Sequence, residues 1–128
     1  MLYVDTSVAL AHLLSETRRP PESLWSEALV SSRLLAHETW VNGHARGLGS
    51  SHGPGVRDLL SHLSFLELTP AVLDRAHEPF PTPVRALDAL HLASIEHLRD
   101  AGQDMTLAAY DARLAAAARA LGIPVVEP

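Results

Sequence analysis

Short apolar runs that stop at an acidic or hydroxyl residue and then give way to helix-forming sequence recur along this chain of 128 residues. Leu2-Tyr3-Val4 stops at Asp5-Thr6-Ser7, Leu29-Val30 at Ser31-Ser32, and Met105 to Tyr110 at Asp111. Each run is too short for a stable helix and reads as a buried strand. Strands that alternate with helices require a parallel sheet, because a parallel neighbour is reached only through a crossover. The expected architecture is α/β: a doubly wound parallel sheet flanked by helices on both faces, formed by residues 1–128 as one domain.

The remaining elements follow from periodicity and punctuation. Thr6 or Ser7 is expected to cap a first helix with Val8, Leu10, Ala11, Leu13 and Leu14 on its packed face. Arg18-Arg19-Pro20-Pro21 ends it, and a second helix is expected from Pro21-Glu22, carrying Leu24, Trp25, Ala28 and Leu29. Leu29–Ser32 reads as a strand and Arg33 to about Arg46 as a helix. Gly47–Gly55 reads as a flexible connection, Val56–Leu63 as a short helix and Phe65–Leu68 as a strand. Pro70–His77 is a helix with proline at its first position. Val84–Ile95, with Thr82 as its cap, is a helix apolar on nearly every side, which places it centrally. Ala112–Leu121 is a helix stopped by Gly122, and Val125-Val126 a last strand.

Composition narrows the function classes. There is no Cys, which excludes a disulfide framework, thiolate-bound zinc and a thiol nucleophile. All 10 basic residues are Arg, and against 15 acidic residues they leave a net charge of −5. That balance argues against a sequence-independent nucleic-acid coat, which shows a basic stripe. It leaves room for an enzyme acting on phosphates. No apolar run approaches the ~18 residues that span a bilayer, and no basic leader precedes Leu2, so no membrane role and a cytoplasmic location are expected.

The carboxylates carry the chemistry. In open α/β sheets, ligands bind beyond the carboxyl ends of the strands. Asp5 and Asp111 stand there, Glu38 lies one turn into the helix after the second strand, and Asp88 lies near the start of the apolar helix. Taken singly, Asp5 and Asp111 read as N-caps and Glu38 as a solvated helix residue. Asp88, between Leu87 and Ala89, needs a partner, either Arg85 or a cation. Taken together, carboxylates about 4 Å apart repel by ~1 kcal/mol in water and ~4 kcal/mol at an intermediate effective dielectric, so the cluster requires positive charge. Hard oxygen donors without Cys favour Mg²⁺ or Mn²⁺ over zinc.

Four segments resemble the PIN-domain ribonucleases, and among them the VapC toxins of bacterial toxin-antitoxin pairs. They are Met1 to Ser7, Ser31-Ser32 followed by Glu38, Arg85 to Ala93, and Tyr110 to Leu114 running on to Val126. The resemblance implies a PIN-like sheet in which Asp5, Glu38, Asp88 and Asp111 are the catalytic, metal-binding quartet. It implies one or two Mg²⁺ or Mn²⁺ ions, an RNA substrate cut by metal-activated water, a homodimer, and inhibition by a cognate VapB-type antitoxin. Thr6 and Ser7 either cap the helix, the preferred reading, or support the metal shell, while Arg85 and Arg113 either grip phosphates or pair with the quartet. The helices around Leu24 to Leu29 and Leu34 to Val41 are expected to offer the antitoxin an apolar groove, or else to pack in the core.

One position departs from the family pattern: Ala109 stands where relatives often carry Thr or Ser, two residues before the last Asp. That substitution sustains an alternative, a catalytically weak PIN-like module that mainly binds protein. Other enzymes fit less well. His91 follows Asp88 by one turn but reads as a packed, hydrogen-bonded residue, and the other seven His have no ligand spacing, which leaves a zinc hydrolase weak. An aspartyl-nucleophile phosphatase needs a second Asp where Ser7 stands, and a phosphate-loop enzyme needs a Lys that the chain lacks.

Overall fold

The computed structural model describes residues 1–14 and 16–128. Among them five strands form one parallel sheet: β1 (Leu2–Val4), β2 (Leu29–Ser32), β3 (Leu63–Leu66), β4 (Thr106–Ala108) and β5 (Val125–Val126), in the order β3-β2-β1-β4-β5. Six α-helices surround it: α1 (Thr6–Leu13), α2 (Arg33–Ala45), α3 (Gly49–Ser61), α4 (Pro70–His77), α5 (Ala86–Asp100) and α6 (Ala112–Ala120).

Alternation along the strands sorts the core into two layers. Tyr3, Val30 and Leu107 face a cluster completed by Leu92 and Ile95 of α5 and Leu114 and Ala118 of α6. Val4, Leu29 and Ala108 face the opposite cluster, with Val8 of α1, Leu35 of α2 and Leu59 of α3. Side chains at successive strand positions point to opposite faces, so β1, β2 and β4 each feed both layers, while edge strand β3 feeds only the second, through Leu63 and Phe65.

The strand order creates a switch point. The chain proceeds outward from β1 to β2 and β3, then returns to place β4 on the other side of β1, with Leu2 beside Thr106 and Val4 beside Ala108. Helices leaving β1 and β4 diverge there and open a crevice at the carboxyl edge, the place where such sheets bind ligands. Asp5 follows β1 and Asp111 follows β4.

Several expectations are corrected. The helix expected from Pro21 is a single 3-10 turn, Glu22–Ser26, because Pro20 and Pro21 precede it and Leu29 already pairs in β2. Gly47–Gly55 is not a flexible connection throughout: α3 starts at Gly49, and Val56 and Leu59 bury 4% and 3% exposed, so packing overrides weak helix propensity. Gly55 lets α3 approach α1 closely, since a Cβ there would lie 3.7 Å from Leu13. β3 begins at Leu63 rather than Phe65, in register with Leu29. The N-cap position of α5 is Arg85, whose side chain makes no capping hydrogen bond, and not Thr82; nor is the helix buried on every side, because Leu87 is 47% exposed. Gly122, at φ +75°, stops α6 as expected. Leu24, Leu29, Leu34 and Leu35 are core residues rather than a groove; on that stretch only Val41, 49% exposed, faces outward as a large aliphatic side chain.

Candidate active site

At the switch point Asp5, Glu38, Asp88 and Asp111 line one cavity of about 490 Å³, together with Thr6, Ser7, Asn42, Arg85 and His91. Leu10 and Leu87 form its apolar rim.

Asp5 and Asp111 each divide their two oxygens between a structural and a cavity-facing role. Asp5 caps α1: Oδ2 accepts from the backbone N–H of Ser7 at 3.2 Å and from its hydroxyl at 2.5 Å, while Oδ1 lies 3.8 Å from Nε2 of His91. Asp111 caps α6: Oδ1 accepts from the N–H groups of Arg113 at 2.9 Å and Leu114 at 3.1 Å, while Oδ2 meets Arg85 at 3.1 Å. Capping by an Asp satisfies otherwise orphaned helix donors and also fixes the carboxylate plane. The N-cap reading and the site reading of these residues therefore hold together.

Glu38 is not a solvated helix residue. Its Oε1 accepts from the Thr6 hydroxyl at 2.9 Å and lies 2.7 Å from Nε2 of His91. Asp88, in the first turn of α5, is 8% exposed and lies 3.4 Å from Nε of Arg85. Arg85 thus bridges Asp88 and Asp111, supplying the partner that Asp88 required. Burial raises Asp5 above the usual carboxylate range, opposed by His91 and the two Ser7 hydrogen bonds and reinforced by the negative charge of Glu38.

Thr6 and Ser7 do not cap α1, contrary to the preferred expectation; Asp5 does, because it ends the strand and Thr6 is already helical. Thr6 holds Glu38, and Ser7 joins Asp5 to the backbone N–H of Tyr110, accepted at 3.0 Å. Arg85 lines the cavity but Arg113, exposed in the first turn of α6, does not. Ala109 is buried with Tyr3 and Leu114, and Asp111 is oriented by two backbone donors without a hydroxyl at position 109. The sequence reading missed Asn42, whose Nδ2 donates to the Glu38 carbonyl at 2.8 Å, and the full role of His91. Asn42 stands at i+4 from Glu38, a spacing that places two side chains on one helix face.

The donor set suits a hard divalent cation in kind, since all four groups are carboxylates and the cavity-facing oxygens of Asp5 and Asp111 are already oriented. In the arrangement seen, no group of three or more His, Asp or Glu side chains converges on an ion position among the described residues. Arg85 takes part of the charge-balancing role. Among the described residues no helix is long and apolar enough to cross a membrane.

With its parallel sheet and its acidic cavity at the β1/β4 switch point, the chain belongs to the PIN domain family, which it matches over residues 2–120. It is similar to Ribonuclease VapC46 of Mycobacterium tuberculosis, 40% identical across 62% of this chain and 60% of that protein. It is also similar to Ribonuclease VapC35 and Ribonuclease VapC47 of the same organism, each 28% identical across all of this chain and 97% of theirs. The crystal structure of M. tuberculosis VapC20, described as a Sarcin-Ricin loop cleaving toxin, superposes over the full length of both chains with a TM-score of 0.72 at 20% identity, which shows a shared fold.

Proposed function

We propose that this single PIN domain, residues 1–128, is a metal-dependent endoribonuclease of the VapC type, held inactive by a cognate antitoxin. The observation that carries this reading is the convergence of Asp5, Glu38, Asp88 and Asp111, from four separate elements, on one cavity at the switch point. The similarity to proteins named Ribonuclease VapC supports it.

In this reading the four carboxylates hold one or two Mg²⁺ or Mn²⁺ ions, which supply Lewis-acid activation of water and charge neutralisation at the phosphodiester. The chain's own residues orient and exclude. Ser7 and the α1 terminus fix Asp5, the α6 terminus fixes Asp111, and Thr6 fixes Glu38. Arg85, with its side chain 61% exposed, is able to leave the carboxylates and take a phosphate oxygen of the RNA. Arg113 lies further out and contacts a flanking phosphate only if the substrate extends beyond the cavity. Leu10 and Leu87 present an apolar rim to a base or to the antitoxin segment that covers the site. The expected assembly is a cytoplasmic homodimer.

The experiment is titration of Mn²⁺ and Mg²⁺ into the purified protein by calorimetry, followed by end-mapping of RNA from cells expressing it. The expected result is saturable binding that Asp5→Asn removes, with discrete cleavage sites bearing 5′-phosphate ends. Binding indifferent to Asp5→Asn, or no binding, overturns the nuclease reading in favour of a protein-binding module.

A further inference from the structure

His91 is only 2% exposed, yet it reaches a carboxylate of the cavity wall. Its Nε2 stands 2.7 Å from Oε1 of Glu38, and its Nδ1 stands 2.8 Å from the hydroxyl of Tyr3, a fully buried residue of β1. The two rings meet edge to face, with centroids 5.8 Å apart and planes at 80°. Tyr3 is itself pinned, because its oxygen accepts from the backbone N–H of Ser32 at 3.2 Å. Ser32 caps α2, the helix that carries Glu38.

For a neutral imidazole, the donors and acceptors around His91 set the direction of this chain. The Tyr3 phenol, an O–H donor at neutral pH like any ordinary tyrosine, lies 2.8 Å from Nδ1 of His91. Ser31 and Ser94 border the phenol, but their own hydroxyls already donate to the carbonyls of Val4 and Leu90. At the other end, an ionised Glu38 facing a bare Nε2 at 2.7 Å would set two acceptors against each other, at a cost without compensation in a buried site. The arrangement free of conflict runs from the Ser32 N–H to the Tyr3 oxygen, from the Tyr3 O–H to Nδ1, and from Nε2–H to Glu38.

We propose that His91 is a positioning residue: Tyr3 fixes it as the Nε2–H tautomer, and it then holds Oε1 of Glu38 so that this carboxylate offers only its other oxygen to a cation. The metal role of Glu38 rests on the function proposed above; the hydrogen-bond chain does not. Oε1 already accepts from Thr6 and His91, while Oε2 has no hydrogen-bond partner among the described residues. Glu38 is therefore a one-oxygen ligand. Partners that orient a ligand in this way are worth about 10–100-fold in metal affinity.

The test combines ring-nitrogen NMR with Mn²⁺ calorimetry on the full chain. In the wild type, the His91 ring is expected to show a bare Nδ1 and a protonated Nε2 at neutral pH. Tyr3→Phe, which removes one hydroxyl from a retained ring, is expected to lose that bias and to weaken Mn²⁺ binding. His91→Leu is expected to weaken Mn²⁺ binding by about 10–100-fold, and His91→Gln, which keeps an N–H donor, to recover most of the loss. Thermal unfolding confirms that each variant is folded at the titration temperature. A proton on Nδ1 in the wild type overturns the proposal, as does wild-type Mn²⁺ affinity in folded His91→Leu. Should His91→Leu fail to fold, unchanged tautomer and unchanged affinity in Tyr3→Phe overturn it instead. A wild-type protein that binds no Mn²⁺ overturns the metal reading alone, and the ring nitrogens still decide the Tyr3–His91–Glu38 chain.

Discussion

The guanidinium of Arg85 spans the mouth of the cavity to Oδ2 of Asp111, 3.1 Å away and 26 residues later in sequence, while its Nε faces Asp88. A positive side chain thus sits where two of the four carboxylates would otherwise repel. Removing it has opposite effects on two measurable quantities. Arg85→Met is expected to tighten Mn²⁺ binding by no more than about 5-fold, because an ion pair of a largely exposed side chain is worth only ~0.2–1 kcal/mol. The same variant is expected to cleave RNA more slowly, having lost a phosphate contact. Calorimetry and a cleavage assay check the two arms, and weaker Mn²⁺ binding would show that Arg85 organises the carboxylates instead of competing for them.

Asp88→Asn keeps the shape of the first turn of α5 but discards a negative charge that the cavity needs. RNA cleavage and growth arrest on expression are expected to disappear while the circular dichroism spectrum and unfolding cooperativity stay native. Persistent toxicity in this variant would rule out the proposed mechanism.

Asp5 links stability to pH in the direction opposite to a salt-bridged carboxylate. Because burial raises its pKa in the folded protein, ionisation costs the folded state more than the unfolded one. Its contribution to stability is full below the unfolded value and is lost as pH rises through the folded value. Asp5→Asn, which preserves the cap, is therefore expected to melt higher than the wild type at pH 7, by roughly 4 °C for each kcal/mol relieved. The difference should shrink towards pH 3. Thermal unfolding across that range checks it, and the variant should bind no Mn²⁺ despite its greater stability.

Ser7 serves two neighbours with one hydroxyl, donating to Asp5 and accepting from the N–H of Tyr110. Ser7→Ala leaves that N–H without its partner at the exit of β4, which costs about 1–3 kcal/mol. Urea unfolding is expected to show a lower midpoint with an unchanged slope. Mn²⁺ affinity is expected to fall as well, because Asp5 loses its shortest hydrogen bond.

The sequence made some of this legible for identifiable reasons. Asp5 and Asp111 stood out because each ends an apolar run, and strand-to-helix turns sit at one edge of a parallel sheet. Asp88 stood out because a carboxylate among Leu and Ala needs a partner. What stayed hidden depends on contacts between distant segments. The adjacency of β1 and β4 joins Leu2 to Thr106, a pairing that no local pattern encodes. The helix from Gly49 was masked by Gly53, Pro54 and Gly55, residues of poor helix propensity whose neighbours Val56 and Leu59 are nonetheless drawn into the core. Asp5, Thr6 and Ser7 all have side chains able to cap α1, and only the point where β1 ends decides for Asp5. Tyr3 is legible in the sequence only as part of a buried strand, and its hydroxyl acquires meaning because α5 brings His91 beside it.

The pairing of β1 with β4 also has a consequence for the birth of the molecule. Ribosomes release a chain from its N-terminus onward, and Asp5 emerges long before Thr106–Ala108 can pair beside its strand or Asp111 can join the cavity. Contacts so far apart in the chain form late and close slowly. A half-made copy of this protein therefore carries only Asp5 and Glu38 of the four carboxylates and no assembled cavity. The complete four-carboxylate cavity exists only in a chain synthesised past Asp111, when little more than the last helix and strand remain to be made.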